Sequence, residues 1–196
     1  PDPTEEKNLV EIKKTIKKYH ADIGIAFDGD GDRIGVLDSK ANFVSGDKLL
    51  LLFAMDILKK KPKSKIIADV KASNLIFKTI SSLGGTAIMS KTGHSLIKTK
   101  MKETKALLAG EMSGHIFFAD EYYGFDDAIY ASIRLLNIMS LGFNIKGFLE
   151  KFKNLYSTPE IKVFCQDSYK FKVIDEIIKI TSKKYRDVSY IDGIRV

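Results

Sequence analysis

Apolar residues recur along this chain with two different periods, and stretches of the two kinds alternate. Leu9, Ile12, Ile16 and Tyr19 fall at helical spacing across residues 4–19, with Glu5 and Glu6 where acidic side chains favour a helix start. Ile23-Gly24-Ile25-Ala26-Phe27 and Ile34-Gly35-Val36-Leu37-Asp38 are short apolar runs suited to strands, and a polar loop separates them. Asp47 is placed to cap a long apolar helix ending near Leu58, a strand is predicted over 65–70, and Ser73 is placed to cap a helix closed by Gly84-Gly85. The same reading predicts a strand over 86–90, a short basic helix over 95–103 and a strand over 106–109. A helix opened by Asp126 or Asp127 then runs to about Leu141, followed by a strand over 161–165, a helix over 171–184 and a strand over 188–191. Alternating helices and strands predict an α/β fold.

The pattern breaks most clearly at Asn154-Leu155-Tyr156-Ser157-Thr158-Pro159, a polar stretch closed by proline, and more weakly over 39–42. These breaks give three pieces, 1–41, 42–154 and 155–196, of which only the central one has the length of a complete domain. A chain of 196 residues, 44% hydrophobic and 29% charged, has ordinary globular composition and can bury a sizeable core. No apolar run approaches bilayer-spanning length and no signal peptide opens the chain, so a soluble cytoplasmic protein is expected. Cys165 is the only cysteine and is expected as a buried, inert thiol, in keeping with a reducing compartment. A start at Pro1 rather than at a methionine suggests a piece of something longer. The net charge of +7 comes from lysines scattered over helix-like segments. Lys59-Lys60-Lys61-Pro62-Lys63-Ser64-Lys65, the one dense run, reads as a solvated helix end. Without an interleaved aromatic stripe or zinc-finger spacing, neither nucleic acid nor a membrane is the expected partner.

Three loops carry the chemistry. In Asp28-Gly29-Asp30-Gly31-Asp32-Arg33, three carboxylates two residues apart repel one another unless a cation lies among them. One Asp-Gly pair would be a solvated turn, whereas the threefold alternation is a metal site. An EF-hand would need glycine at Arg33 and a bidentate glutamate at Ser39. An all-oxygen donor set suits a hard cation, Mg2+ above all, and this ion's reluctance to shed water calls for a phosphate in its shell. Gly110-Glu111-Met112-Ser113-Gly114-His115 gathers a carboxylate, a hydroxyl and an imidazole between glycines, as a grip on a sugar requires. Lys91-Thr92-Gly93-His94-Ser95 precedes a helix with Lys98, Lys100 and Lys102 behind it, so that a phosphate there would meet free amides and cations.

Together with Gly124-Phe125-Asp126-Asp127-Ala128-Ile129-Tyr130 and the opening Pro1-Asp2-Pro3-Thr4, these motifs resemble the α-D-phosphohexomutase superfamily, and within it the phosphomannomutase/phosphoglucomutase branch. The resemblance implies a three-layer α/β/α domain with a mixed sheet, flanked by the end of a second domain and the start of a fourth. It implies intramolecular phosphoryl transfer between C1 and C6 of a mannose or glucose phosphate through a hexose bisphosphate, using a phosphoserine on a domain outside this chain. Asp28, Asp30 and Asp32 match the family's magnesium ligands, and Arg33 a residue facing the reacting phosphate or sugar. Glu111 and Ser113 match the pair holding the sugar's O3 and O4, Thr92 and Gly93 lie in the matching substrate loop, and His94, His115 and Lys71 match proposed proton carriers. His20 lies outside every motif. The phosphoserine loop and the fourth domain's phosphate loop are not in the sequence, so this polypeptide alone is not expected to complete a cycle.

Two other classes compete. A haloacid dehalogenase-like phosphatase would use Asp28 as nucleophile with Asp126 and Asp127 as further ligands, although Asp32 stands where that family has Thr or Val. A basic nucleic-acid-binding module is the non-enzymatic alternative.

Overall fold

A computed structural model describes residues 2–152, 161 and 163–196, and in it the alternation becomes two sheets and their helices. A 3-10 turn, Glu6–Leu9, leads into α1 (Val10–Tyr19), which packs on the first sheet. That sheet is antiparallel, ordered β1 (Ile23–Phe27), β2 (Ile34–Asp38), β3 (Phe43–Val44). Leu9, Ile16, Leu37 and Ala41 form its buried apolar cluster. Gly24 lets α1 approach, since a Cβ there would come within 2.5 Å of Ile16 Cδ1.

α2 (Gly46–Lys60) connects the two sheets. The chain then runs through β4 (Lys65–Asp69), α3 (Asn74–Ser82), β5 (Thr86–Ser90), α4 (His94–Thr104), β6 (Leu108–Gly110), β7 (Ile116–Phe118) and α5 (Ala128–Ser140). The short α6 (Ile145–Glu150) and the exposed α7 (Lys170–Lys184) follow. The second sheet is mixed, in the order β5-β4-β6-β7, with β4 parallel to β5 and β6, and β7 antiparallel to β6.

Side-chain alternation produces the layers. Ile66, Ala68, Leu108, Ile116 and Phe118 face the cluster built with α2, α3 and α5, while Ile67, Ala109 and Phe117 face Ile97 and Met101 of α4. The sheet is therefore covered on both faces, as the expected α/β/α architecture requires. α2 is apolar on most sides because it is enclosed: Leu49, Leu50, Leu51, Leu52, Phe53, Ala54, Ile57 and Leu58 are all buried, and Ile34, Val36 and Val44 of the first sheet join the same core. One continuous hydrophobic core thus joins the two sheets.

Several expectations are corrected. Asp47 does not cap α2; Ser45 is the N-cap residue, and the buried Asp47 carboxylate accepts hydrogen bonds from Ser45 Oγ, the Lys48 amide and the Ser73 amide. Among the described residues, 161 and 163–165 form no strand, residue 162 of that expected strand lying outside them, and Ser189 makes only an isolated bridge to Arg195, because neither stretch meets a partner strand there. Cys165 is exposed rather than buried, since no core element among the described residues covers its segment. Short strands β3 and β7 and helix α6 had too few residues for periodicity to detect. The break at 154–159 lies outside the described residues. Ser73 does cap α3, accepting from the Leu75 amide, and Asp127 caps α5, accepting from the Tyr130 amide.

Candidate active site

Two hairpin loops meet at the carboxyl ends of β4 and β6. The β1–β2 loop carries Asp28 to Arg33 and closes with the Asp28 amide donating to the Arg33 carbonyl. The β6–β7 loop carries Glu111 to His115 and closes with a bond from the Glu111 amide to the His115 carbonyl. Arg33 and His115 form an antiparallel bridge, and the Ile34 amide donates to the Gly114 carbonyl at 3.0 Å. Gly114 makes this contact possible twice over: its φ is +96°, and a Cβ would stand 2.5 Å from the Ile34 carbonyl oxygen. Gly46 admits the start of α2 in the same way, since a Cβ there would lie 2.3 Å from the Glu111 carbonyl oxygen. From the other side the Ala128 amide, at the start of α5, donates to the Gly31 carbonyl.

One oxygen each from Asp28, Asp30 and Asp32 lies within 4.8 Å of the others. The convergence comes from bends over 29–31, with Gly31 at φ +74°, rather than from the alternation of an extended segment. Asp28 is held firmly: Oδ1 accepts the Asp32 and Arg33 amides, both at 3.1 Å, and Oδ2 accepts Arg33 Nε at 2.7 Å. Burial pushes its pKa up, but the Arg33 amide and guanidinium and the Asp32 interaction outweigh burial and lower it to about 2. Asp32 moves upward, through burial and the neighbouring Asp28 and Asp30 charges. A clustered, oxygen-only donor set with one member ionised down to low pH fits a hard divalent cation. Arg33 also reaches back to Asp2, with 3.0 Å between Nη1 and Oδ2.

Glu111 is buried beneath this loop. Its Oε1 accepts the Gly93 amide at 2.6 Å, and its Oε2 lies 3.0 Å from His115 Nδ1. Ser113 Oγ is 3.1 Å from the same nitrogen. His115 Nε2 faces Asp32 Oδ2 at 3.3 Å and Asp126 Oδ2 at 3.9 Å. Burial alone would lower the His115 pKa, yet Glu111, Asp32 and Asp126 together raise it. His94 stacks on His115 with ring centroids 5.7 Å apart, and its Nδ1 lies 3.5 Å from Asp126 Oδ2, a buried oxygen without a hydrogen bond. Lys98 completes the group, 3.1 Å from Asp126 Oδ1. Acidic and basic groups therefore alternate across one surface, an arrangement that can neutralise an anion and carry protons to its oxygens.

The sequence-predicted residues mostly gather here. Asp28, Asp30, Asp32, Arg33, Glu111, Ser113, His115 and His94 lie in one cluster, Gly93 is tied to it through Glu111, and Lys71 is exposed in the loop after β4. Of the amides expected to be free before α4, two are occupied, while the first turn of the helix has no side-chain cap. The Gly93 amide is taken by Glu111, and the Thr92 amide by Asp192 Oδ2 at 3.0 Å. His20 stands apart, ending α1 in a left-handed conformation. Lys98, expected beside a phosphate, and Asp126, named within a family motif, both belong to the cluster, and Asp69, Asp192 and Arg195 lie against its loops. Asp192 and Arg195 are about a hundred residues away in sequence, so no local signal could have found them.

The phosphatase alternative does not fit these positions. The Asp28 side chain is 2% exposed and accepts from three donors, which makes it a poor nucleophile for in-line attack while leaving Oδ2 a lone pair for a cation. Asp127 is committed to capping α5 and accepts the Tyr122 hydroxyl as well.

Comparison with known proteins agrees with this geometry. Residues 45–156 match the family model described as phosphoglucomutase/phosphomannomutase, alpha/beta/alpha domain III, and residues 1–41 match that of alpha/beta/alpha domain II. The chain belongs to the phosphoglucomutase/phosphomannomutase family. It is 48% identical over 197 residues to a phosphomannomutase/phosphoglucomutase of Pseudomonas syringae, covering 100% of this chain and 42% of that protein. It is 46% identical over 198 residues to a phosphoglucomutase of Neisseria meningitidis serogroup A, covering 100% of this chain and 43% of that one. A crystal structure of a phosphoglucomutase/phosphomannomutase family protein from Burkholderia thailandensis superposes with a TM-score of 0.88 at 40% identity, over 100% of this chain and 42% of the other. The chain thus spans about two fifths of the length of the curated relatives it matches. These relatives are phosphomutases, enzymes of the isomerase class, and they give no support to a phosphatase or a nucleic-acid module. No helix of the described residues is long and apolar enough to cross a membrane.

Proposed function

We propose that this chain forms the metal-binding and sugar-binding walls of a phosphohexomutase that interconverts the 1- and 6-phosphates of mannose or glucose. One observation carries the reading. The acidic loop and the Glu111–His115 loop are joined by backbone hydrogen bonds, so metal ligands, sugar-binding groups and imidazoles share one surface. Asp28, Asp30 and Asp32 would hold Mg2+, which when bound neutralises charge on the transferring phosphoryl group. Arg33, anchored by Asp28 and Asp2, presents its guanidinium beside that group. Glu111 and Ser113 accept and share hydrogen bonds with the sugar's O3 and O4 hydroxyls, which lets either end of the hexose be presented. The Glu111 carboxylate is already oriented by the Gly93 amide and His115, so little reorganisation is needed when sugar arrives. His115, His94 and Lys71 move protons at the attacking and leaving oxygens, with Asp126 facing both imidazoles. The phosphoserine and the grip on the second phosphate come from the other domains of the same enzyme. Within this chain, residues 1–41 close the second domain, 42–154 form the third, and 155–196 begin the fourth.

The test is a coupled assay of the full-length enzyme with mannose 1-phosphate and glucose 1-phosphate in Mg2+. We expect 6-phosphate products in both cases and a loss of at least about 100-fold in kcat for Asp30→Asn, the scale seen when charge stabilisation of a transition state is removed. Release of inorganic phosphate without isomerisation would overturn the reading.

A further inference from the structure

The segment around residues 189–195 touches two loops of the candidate site at once. Ser189 and Arg195 exchange both backbone hydrogen bonds, at 2.8 and 2.9 Å, so the intervening residues form a closed turn, with Gly193 at φ +65°. Each arm of that turn ends on a loop at the carboxyl end of a parallel strand. Arg195 Nη1 donates to the carbonyls of Val70 and Ala72, the latter at 2.7 Å, and Nη2 donates to Asn74 Oδ1 at 2.7 Å. The guanidinium also lies over the Phe77 ring, 5.7 Å from its centroid. Asp192 Oδ2 accepts the Thr92 amide, and Ser189 Oγ lies 3.9 Å from Met89 Sδ.

The chemistry of the contact is specific. Val70 and Ala72 flank Lys71, so one planar guanidinium fixes the peptide on both sides of that lysine, and its second nitrogen ties down the first residue of α3. Thr92 is the neighbour of Gly93, whose amide orients Glu111. A turn from the far end of the chain thereby sets the backbone of the Lys71 loop and of the loop before α4. Loops carry many conformations unless their backbone groups are satisfied, and among the described residues these contacts supply the missing partners.

We propose that the 189–195 turn is a positioning clamp, with Arg195 acting through Lys71 and Asp192 acting through the Thr92–Gly93 loop. The proposal rests on the phosphomutase reading above for the role given to Lys71. Arg195 touches no reacting atom on this account; it holds the loop that brings Lys71 to the reacting oxygens. A displacement of that loop by about 1 Å would cost roughly 100-fold in rate. Binding of the sugar, which depends on Glu111 and Ser113, would be little affected.

The experiment is a double-mutant cycle in the full-length enzyme, combined with amide hydrogen exchange. Arg195→Ala is expected to lower kcat by at least about tenfold while KM for hexose phosphate changes by less than about threefold. In the Lys71→Ala background the same change should cost almost nothing further, because its effect passes through Lys71. Arg195→Lys, which keeps the charge but loses the fork, should recover only part of the rate. Exchange of the amides at 70–74 should quicken in Arg195→Ala while that of α2 stays unchanged. Additive losses in the cycle, an unchanged kcat, or unchanged exchange at 70–74 would each overturn the clamp. If the wild-type enzyme shows no mutase activity, the phosphomutase reading fails by itself, and the exchange measurement still decides whether the clamp exists.

Discussion

Asp69 is the residue at which the site bears most heavily on stability. It ends β4 with no exposure to solvent, and its carboxylate has only the weakly placed Met112 amide beside it to offset burial. Burial raises its pKa to about 6, with Glu111 and Asp47 adding to the shift and Lys71 and the Met112 amide opposing it. Because the folded value lies above the ordinary 3.8, the fold holds the proton more tightly than the unfolded chain does, and above about pH 6 the ionised carboxylate is a cost. Its contribution to stability is complete below about pH 4 and is lost as pH rises through 6, a change on the order of 3 kcal/mol. Asp69→Asn should therefore stabilise the chain at pH 7.5 by about 1–3 kcal/mol and far less at pH 4. Urea denaturation at the two pH values checks this, and equal effects at both would contradict it. Gly114 makes the opposite case. Ala at this position must adopt a positive φ and push against the Ile34 carbonyl, so Gly114→Ala should cost roughly 2 kcal/mol or more in thermal or urea melts.

Among elements, α5 links the two sheets to the acidic loop, and its position depends on a buried cation. Arg134 pairs with Asp120 through two bonds, 3.0 and 2.9 Å, and lies over the Phe118 ring at 4.6 Å. The Tyr130 hydroxyl also bonds the guanidinium, and Asp56 and Glu121 stand 3.5 and 3.8 Å from it, so Asp120 is the main of three carboxylate partners among the described residues. Asp120→Ala should destabilise the chain by about 1–3 kcal/mol, since Asp56 still faces the guanidinium, whereas replacing both Asp120 and Arg134 with apolar residues of similar size should cost less. Chemical denaturation of the single and double variants distinguishes these outcomes. α5, the two hairpins and their loops were legible in the sequence to different degrees. Asp127 as a cap and the strands flanking the acidic loop follow from local signals. β7 has three residues, and its place beside β6 depends on a turn whose glycine is required by a contact with another sheet.

At the scale of the whole molecule, the proposed function makes the metal site one that this chain would share with the rest of the enzyme. The three carboxylates offer part of a coordination shell, which a phosphate group would complete. By calorimetry, Mg2+ should bind residues 1–196 weakly and the full-length phosphorylated enzyme more tightly, and Asp30→Asn should abolish binding to both. Equal affinity in wild type and variant would contradict the assignment of Asp30 as a ligand.

What the sequence alone determined is the chemistry carried by contiguous residues. The acidic loop, the Glu111–His115 loop and the alternating elements are each written in adjacent or periodic positions, because backbone geometry translates spacing directly into direction. What the tertiary structure decided is which loops meet. The bridge from Arg33 to His115, the burial of Glu111 under the Gly93 amide, the buried carboxylate of Asp69 and the grip of Arg195 on both sides of Lys71 join residues from about 18 to 125 positions apart. Such contacts are set by how helices and sheets pack around one shared core, and no spacing along the chain encodes them.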